Sequence, residues 1–249
     1  MHIDATTALL AAGMLAAAFV YASVGHGGAS AYLAAMALAG IAPAEMRPVA
    51  LLLNVIVSAM ATWRFWRAGH FHWRLFWPFA VTSIPLAFVG GAVTLPGTAY
   101  KALVGLVLLY AGWQLWLSGR SGAEMREVKP VPVSIAMPVG AALGVLSGLT
   151  GVGGGIFLSP LLLMLGWAGT KETSAVAAPF ILVNSASALA AGFLVSGITL
   201  PVYIAWLAAA VLVGGWAGAD YGARRFANPL VRRLLAVVLA LAGGKMVLV

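Results

Sequence analysis

The chain has no cysteine, four histidines and six acidic residues among its 249. Without cysteine there is neither a disulfide framework nor a thiolate metal site. The histidines are spread along the chain, so no metal cluster and no cofactor is expected. Charged residues make up 8% of the sequence, against about a quarter in a typical soluble domain, which is too few to cover a water-facing surface. The net charge of +8 does not point to nucleic acid, because Arg and Lys sit in short loops, as cytoplasmic flanks of membrane helices do. No Lys-Ser or Lys-Thr follows the glycines at 151–155, so they are not a nucleotide loop. The apolar runs hold no paired carboxylates. An enzyme is therefore not expected.

Hydrophobic residues make up 63% of the chain, with a mean hydropathy of +1.02. The runs are helix-length rather than the ten-residue alternating segments of an outer-membrane barrel. The expected fold is an all-α polytopic membrane protein. Thr7 to Val20 resembles the apolar part of a signal peptide. However, Met1 to Ala5 carries Asp4 and no Lys or Arg, where a signal carries positive charge. The stretch is therefore read as a retained first helix. Ten segments follow the hydropathy: about 6–24, 29–40, 49–63, 75–93, 102–117, 133–149, 156–165, 174–195, 200–218 and 230–249. A polar turn is expected at Pro43 to Pro48. If re-entrant pairs count as spans, eight or more helices enter the membrane.

Two glycine clusters interrupt the apolar runs. The stronger runs from Gly148 through Gly151, Gly153, Gly154 and Gly155 to Pro160. The weaker is Gly25-His26-Gly27-Gly28-Ala29-Ser30. Glycine costs about 1 kcal/mol relative to alanine inside a helix, so each cluster predicts an unwound turn between two short helices. Lipid cannot satisfy the backbone groups such a turn frees, so it must be buried in protein or line a wet cavity. Glycine pairs such as Gly90-Gly91 and Gly214-Gly215 are read as helix packing.

The clusters are two copies of one unit. Gly25 and Gly151 lie 126 residues apart, as do Gly27 and Gly153, and Gly28 and Gly154. Val49-Ala50 recurs at Val176-Ala177 and Glu45 at Glu172, both 127 residues on. The expected division is a first repeat at 1–117, a cytoplasmic linker at 118–132 and a second repeat at 133–249. The basic loops swap sides between copies. Arg64, Arg67 and Arg74 follow the third segment, but the equivalent Ser196 to Thr199 has no charge. Arg224, Arg225, Arg232 and Arg233 instead lie between the ninth and tenth segments. An odd number of segments per copy accounts for this, so an inverted-topology repeat is expected, with both termini outside. In such transporters the substrate lies between the repeats.

Free N–H groups at the starts of the second and seventh segments carry positive partial charge and can hold an anion. The candidate substrate-binding residues are therefore Gly25, His26, Gly27, Gly28, Ser30, Asn54, Ser58, Thr150, Gly151, Gly153, Gly154, Gly155, Asn184 and Ser185. Asn54 and Asn184 are read as equivalents at similar depth. Each either lines the site or forms an interhelical hydrogen bond. Ser58, Ser185 and Ser187 lie about one turn further along. Ser30, Thr150 and Ser159 either cap helices or touch substrate. His26 is the one ionisable residue deep in an apolar run. It is read as a proton-coupling group, with a hydrogen-bonded structural histidine as the alternative. Glu45 with Arg47, and Lys171 with Glu172, are read as interfacial pairs or vestibule charges. Asp220 and Arg224 fit a surface pair.

The glycine motif Gly151-Val152-Gly153-Gly154-Gly155 with Pro160, followed by a small and polar helix from Val176 to Ala188, resembles the sulfite exporter TauE/SafE family over nearly the whole chain. The first copy departs from that pattern: Ala29 replaces the last glycine, Ala34 stands opposite Pro160, and His26 stands opposite Val152. The resemblance implies a secondary transporter of small anions such as sulfite or organosulfonates, multi-pass in the bacterial inner membrane. Its expected partners are the anion, the bilayer, protons as coupling ion and a second copy in a homodimer. The competing readings are an uncoupled anion channel and a membrane assembly factor without transport.

Overall fold

The computed structural model describes residues 5–23, 25–118, 131–224 and 229–248. Side chains 5, 6, 118, 222–232 and 234 lie outside that description. Most of the proposed linker, Gly122 included, lies outside the described residues, as do the side chains of Arg224, Arg225 and Arg232.

Ten α-helices account for the described chain: α1 (Ala5–Ala22), α2 (Ala29–Leu38), α3 (Pro43–Arg67), α4 (Trp73–Ala92), α5 (Gly97–Ser118), α6 (Val133–Thr150), α7 (Gly155–Met164), α8 (Thr170–Leu194), α9 (Ile204–Arg224) and α10 (Pro229–Leu248). Among the described residues, α3, α4, α5, α6, α8 and α9 are long and apolar enough to cross a membrane. α2 and α7, at ten residues each, reach only about 15 Å at 1.5 Å per residue, half of a hydrocarbon core of about 30 Å.

Pro43 to Pro48 is not a turn but the opening of α3. Pro43 stands at the first helical position, where its missing N–H costs nothing, and Glu45 complements the positive helix end. Gly148 is also helical, the last of three glycines spaced four apart along α6. A β-carbon at Gly140, Gly144 or Gly148 would collide with the backbone of Phe79, Ser83 or Ala87 on α4. α9 approaches α1 in the same way, with Gly214 and Gly218 against the carbonyls of Leu15 and Phe19. Small residues at four-residue spacing let two backbones meet in a membrane, where no hydrophobic force drives helices together.

The helix lengths repeat across the halves: 18 residues for α1 and α6, ten for α2 and α7, and 25 for α3 and α8. The principal packing pairs each join one half to the other: α4 with α6, α1 with α9, α5 with α10, and α3 with α8. Exchanging the halves maps this set onto itself. α3 and α8 run antiparallel: Leu51 packs with Ala188 and Leu189, while Ala61 and Phe65 pack with Ala175 and Ala178. α5 and α10 are antiparallel as well, with Gly105 against Gly243 and Gly112 against Ala236. Asp220 pairs with Arg64 of α3 at 2.9 Å. The arginine-bearing end of α3 therefore lies against the end of α9.

Candidate functional site

Both glycine clusters form the expected breaks. In the first turn Gly25 and Gly28 take φ of +75° and +94°. In the second, Gly151, Gly153 and Gly154 take +82°, +82° and +77°. Side-chain-bearing residues pay about 1–2 kcal/mol for this left-handed backbone, so the glycines set where the chain turns.

The two turns meet on Asn54. Its Oδ1 accepts the N–H of Ala29, at the start of α2, at 3.1 Å. Its Nδ2 donates to the carbonyl of Val152, in the second turn, at 3.1 Å, and to Ser185 Oγ of α8 at 3.4 Å. The side chain is fully buried. One amide thus satisfies a donor of one broken helix and an acceptor of the other. Ser58 donates to the carbonyl of Asn54. Thr150 donates to the carbonyl of Leu146 and accepts the N–H of Val152. Ser30 shares a 2.7 Å hydrogen bond with the Tyr21 hydroxyl.

The expected equivalence of Asn54 and Asn184 does not hold. Asn54 is the twelfth residue of α3, and the twelfth of α8 is Ile181. Ile181 fills the space beside Gly27, Gly153 and Gly155. Asn184 lies a turn further along and donates to the Phe180 carbonyl at 2.8 Å, leaving its Oδ1 buried without a partner. The glycine turns are buried against protein: Gly27 meets Asn54, and Gly154 meets the Phe180 ring.

Open space lies beside the turns, between the halves. A cavity of about 150 Å³ is bounded by Tyr21 and His26, by Ala111, Gln114 and Leu115 of α5, by Ile156, Ser159, Pro160 and Leu163 of α7, and by Thr170, Thr173 and Ser174 of α8. It is smaller than sites for drug-sized ligands, which run from about 300 Å³ upward. His26 Nε2 stands 3.1 Å from Ser159 Oγ across the two halves, and the His26 ring lies edge-on to Tyr21. Among the described residues, no Asp, Glu, Lys or Arg lines this space.

His26 and Ser159 were legible in the sequence; Tyr21, Gln114 and the opening turn of α8 were not. The signal for the last is Thr170, Thr173 and Ser174 ahead of an apolar helix. Arg47 was also misread. It does not pair with Glu45; it is 8% exposed and donates to the carbonyls of Val93 and Gly91 at 2.6 and 3.1 Å, closing the end of α4. Glu45 accepts the Tyr203 hydroxyl at 2.7 Å. Burial, with the adjacent Glu45 carboxylate, pushes that hydroxyl well above the ordinary tyrosine range, so it stays a donor. Lys245 donates to the carbonyls of Ala37 and Leu38 at the end of α2.

A family model described as sulfite exporter TauE/SafE matches residues 9–246. The chain is 38% identical over 239 residues to a probable membrane transporter protein, y4hK, of Sinorhizobium fredii, covering 95% of this chain and 96% of the relative. No solved structure matches.

Proposed function

The chain belongs to the sulfite exporter TauE/SafE family, and from this membership in a family of multi-pass membrane transporters we propose that it is a secondary transporter of a small sulfur oxyanion, sulfite or an organosulfonate. The observation that carries the reading is the cavity between the halves. Its lining includes His26 from one glycine turn and the helix α7 that begins at the other. A small space beside two broken helices, between the halves, is where transporters of this architecture hold substrate. The locked turns are the natural pivots: glycine alone tolerates the backbone excursions that opening and closing require.

The repeats are inverted in this proposal, with 1–117 and 133–249 as the two copies and the 118–132 linker in the cytoplasm of a bacterial inner membrane. The antiparallel packing of α3 on α8 and of α5 on α10 supports it. Counting α10 and the paired short helices gives the eight or more membrane helices. In this cysteine-free chain, Gly122→Cys is expected to resist an impermeant thiol reagent in intact cells, whereas Thr98→Cys, exposed at the start of α5, is labelled. Labelling of the linker position overturns the inverted arrangement.

Protons are the proposed coupling ion, carried by His26. Imidazole titrates near neutral pH, and its protonated form neutralises an anion in transit. Val152, its counterpart in the second copy, cannot do this. In reconstituted vesicles, His26→Gln is expected to abolish anion accumulation driven by an imposed pH step while leaving downhill flux. Unchanged gradient-driven accumulation would rule out the shuttle and leave a structural histidine bonded to Ser159.

A further inference from the structure

We infer that the anionic head of the substrate is held at the N-terminus of α8, by the hydroxyls of Thr173 and its neighbours Thr170 and Ser174, with His26 and Ser159 facing them. This rests on the transporter reading above and moves the point of anion capture away from the glycine turns.

Three observations converge on that helix end. The first turn of α8 forms one wall of the cavity. α8 is 25 residues long, and the first turn of a helix carries unpaired N–H groups and positive partial charge, which favour an anion beside it. The second is Thr173 itself. It is 2% exposed, lines the cavity, and its Oγ1 has no hydrogen-bond partner in the protein. Burying a hydroxyl without a partner is costly, and a bound oxyanion supplies the missing acceptor. The charged residues of the same turn, Lys171 and Glu172, do not line the cavity.

The third is the comparison between the repeats. Thr173, Ser174, Ser159 and His26 correspond to Met46, Arg47, Leu33 and Val152 at the repeat spacing. Met46, Leu33 and Val152 are packed into the main apolar core, and Arg47 is spent on the end of α4. The fold is therefore satisfied without a hydroxyl or an imidazole at these places. The polar set, with His26 from the first half and Ser159, Thr173 and Ser174 from the second, is not repeated at the exchanged positions, and it borders the cavity. Ile156 and Leu163 of α7 and Leu115 of α5 add an apolar lining to the same space. The ligand class is a small oxyanion carrying a short apolar group, its head on α8 and its carbon chain on that lining.

Thr173→Val removes the hydroxyl and keeps the shape, and Thr173→Ser keeps the hydroxyl. Uptake of ethanesulfonate and of sulfite into reconstituted vesicles is measured for both variants and the wild type, along with melting in detergent without anion. Thr173→Val is expected to raise KM about tenfold or more, the usual consequence of losing a hydrogen bond to a charged group, with Thr173→Ser close to wild type. Because the hydroxyl is unpaired in the empty protein, Thr173→Val should melt at or above the wild-type temperature, which a structural hydroxyl would not allow. If the wild type carries both anions and Thr173→Val carries them equally well, the α8 site is wrong and the transporter reading stands. If the wild type carries neither, the transporter reading itself falls.

Discussion

Replacing Asn54 with alanine is expected to abolish transport and to lower the melting temperature of the purified protein more than any other polar-to-alanine change in the buried set. The substitution strands the Ala29 N–H and the Val152 carbonyl in the interior, where neither water nor lipid answers them. Each orphaned group costs about 1–3 kcal/mol, and together they come to about 2–6 kcal/mol. The damage goes beyond stability, because Asn54 is the contact through which the two broken helices hold one another at 3.1 Å on either side. Asn54→Asp separates the two bonds. It keeps an acceptor for Ala29 but offers no donor to Val152, and it places a carboxylate against a carbonyl. It should therefore fail as well, while Ser185→Ala, which removes only the longer 3.4 Å partner, is mild. Melting in detergent and vesicle flux measure both effects. An Asn54→Ala protein that melts and transports like the wild type would refute the cross-link.

Gly154→Leu and Gly28→Leu form the second case, with loss of transport expected for each. At Gly154 the backbone sits at φ +77° and a β-carbon would lie 2.9 Å from the Phe180 ring. At Gly28 φ is +94° and the nearest atom is the Tyr32 hydroxyl at 2.6 Å. The left-handed backbone costs about 1–2 kcal/mol, and overfilling a packed site adds about 1–3 kcal/mol. The leucines thus act by forcing the turns apart and displacing the helix starts beside the cavity. Gly97→Leu is the control, since nothing lies within 4 Å of its β-carbon position and its backbone is ordinary. Membrane-inserted protein is quantified first, then flux per inserted molecule. Normal flux through Gly154→Leu would show that the second turn neither moves nor positions the site.

All ten helices stand in the hydropathy, with the openings of α3 and α5 and the end of α9 lying five or six residues beyond the segments read there; the opening of α3 is the instructive case. There the two prolines and the charges at 45 and 47 read as a loop. Proline at the first helical position is favourable, and the buried arginine beside it depends on carbonyls 44 and 46 residues away, which no local pattern announces. The two breaks were legible because glycine at a positive-φ turn has no cheap substitute. Asn184 shows the limit of the same reasoning. An asparagine at nearly the repeat spacing looked equivalent to Asn54, but helix register gives that place to Ile181.

The sequence by itself determined a bilayer-embedded, all-helical chain with a glycine break in each half. Composition leaves no other solvent for so many apolar residues, and glycine clusters leave no continuous helix. Only the tertiary structure decided what the breaks do. They are closed by one shared asparagine and an isoleucine rather than held open for a ligand. The open space lies beside them, where the start of α8 faces His26. Those contacts join residues from 25 to 133 positions apart, and a side chain's partner across such a distance is fixed by packing geometry, which local sequence does not encode.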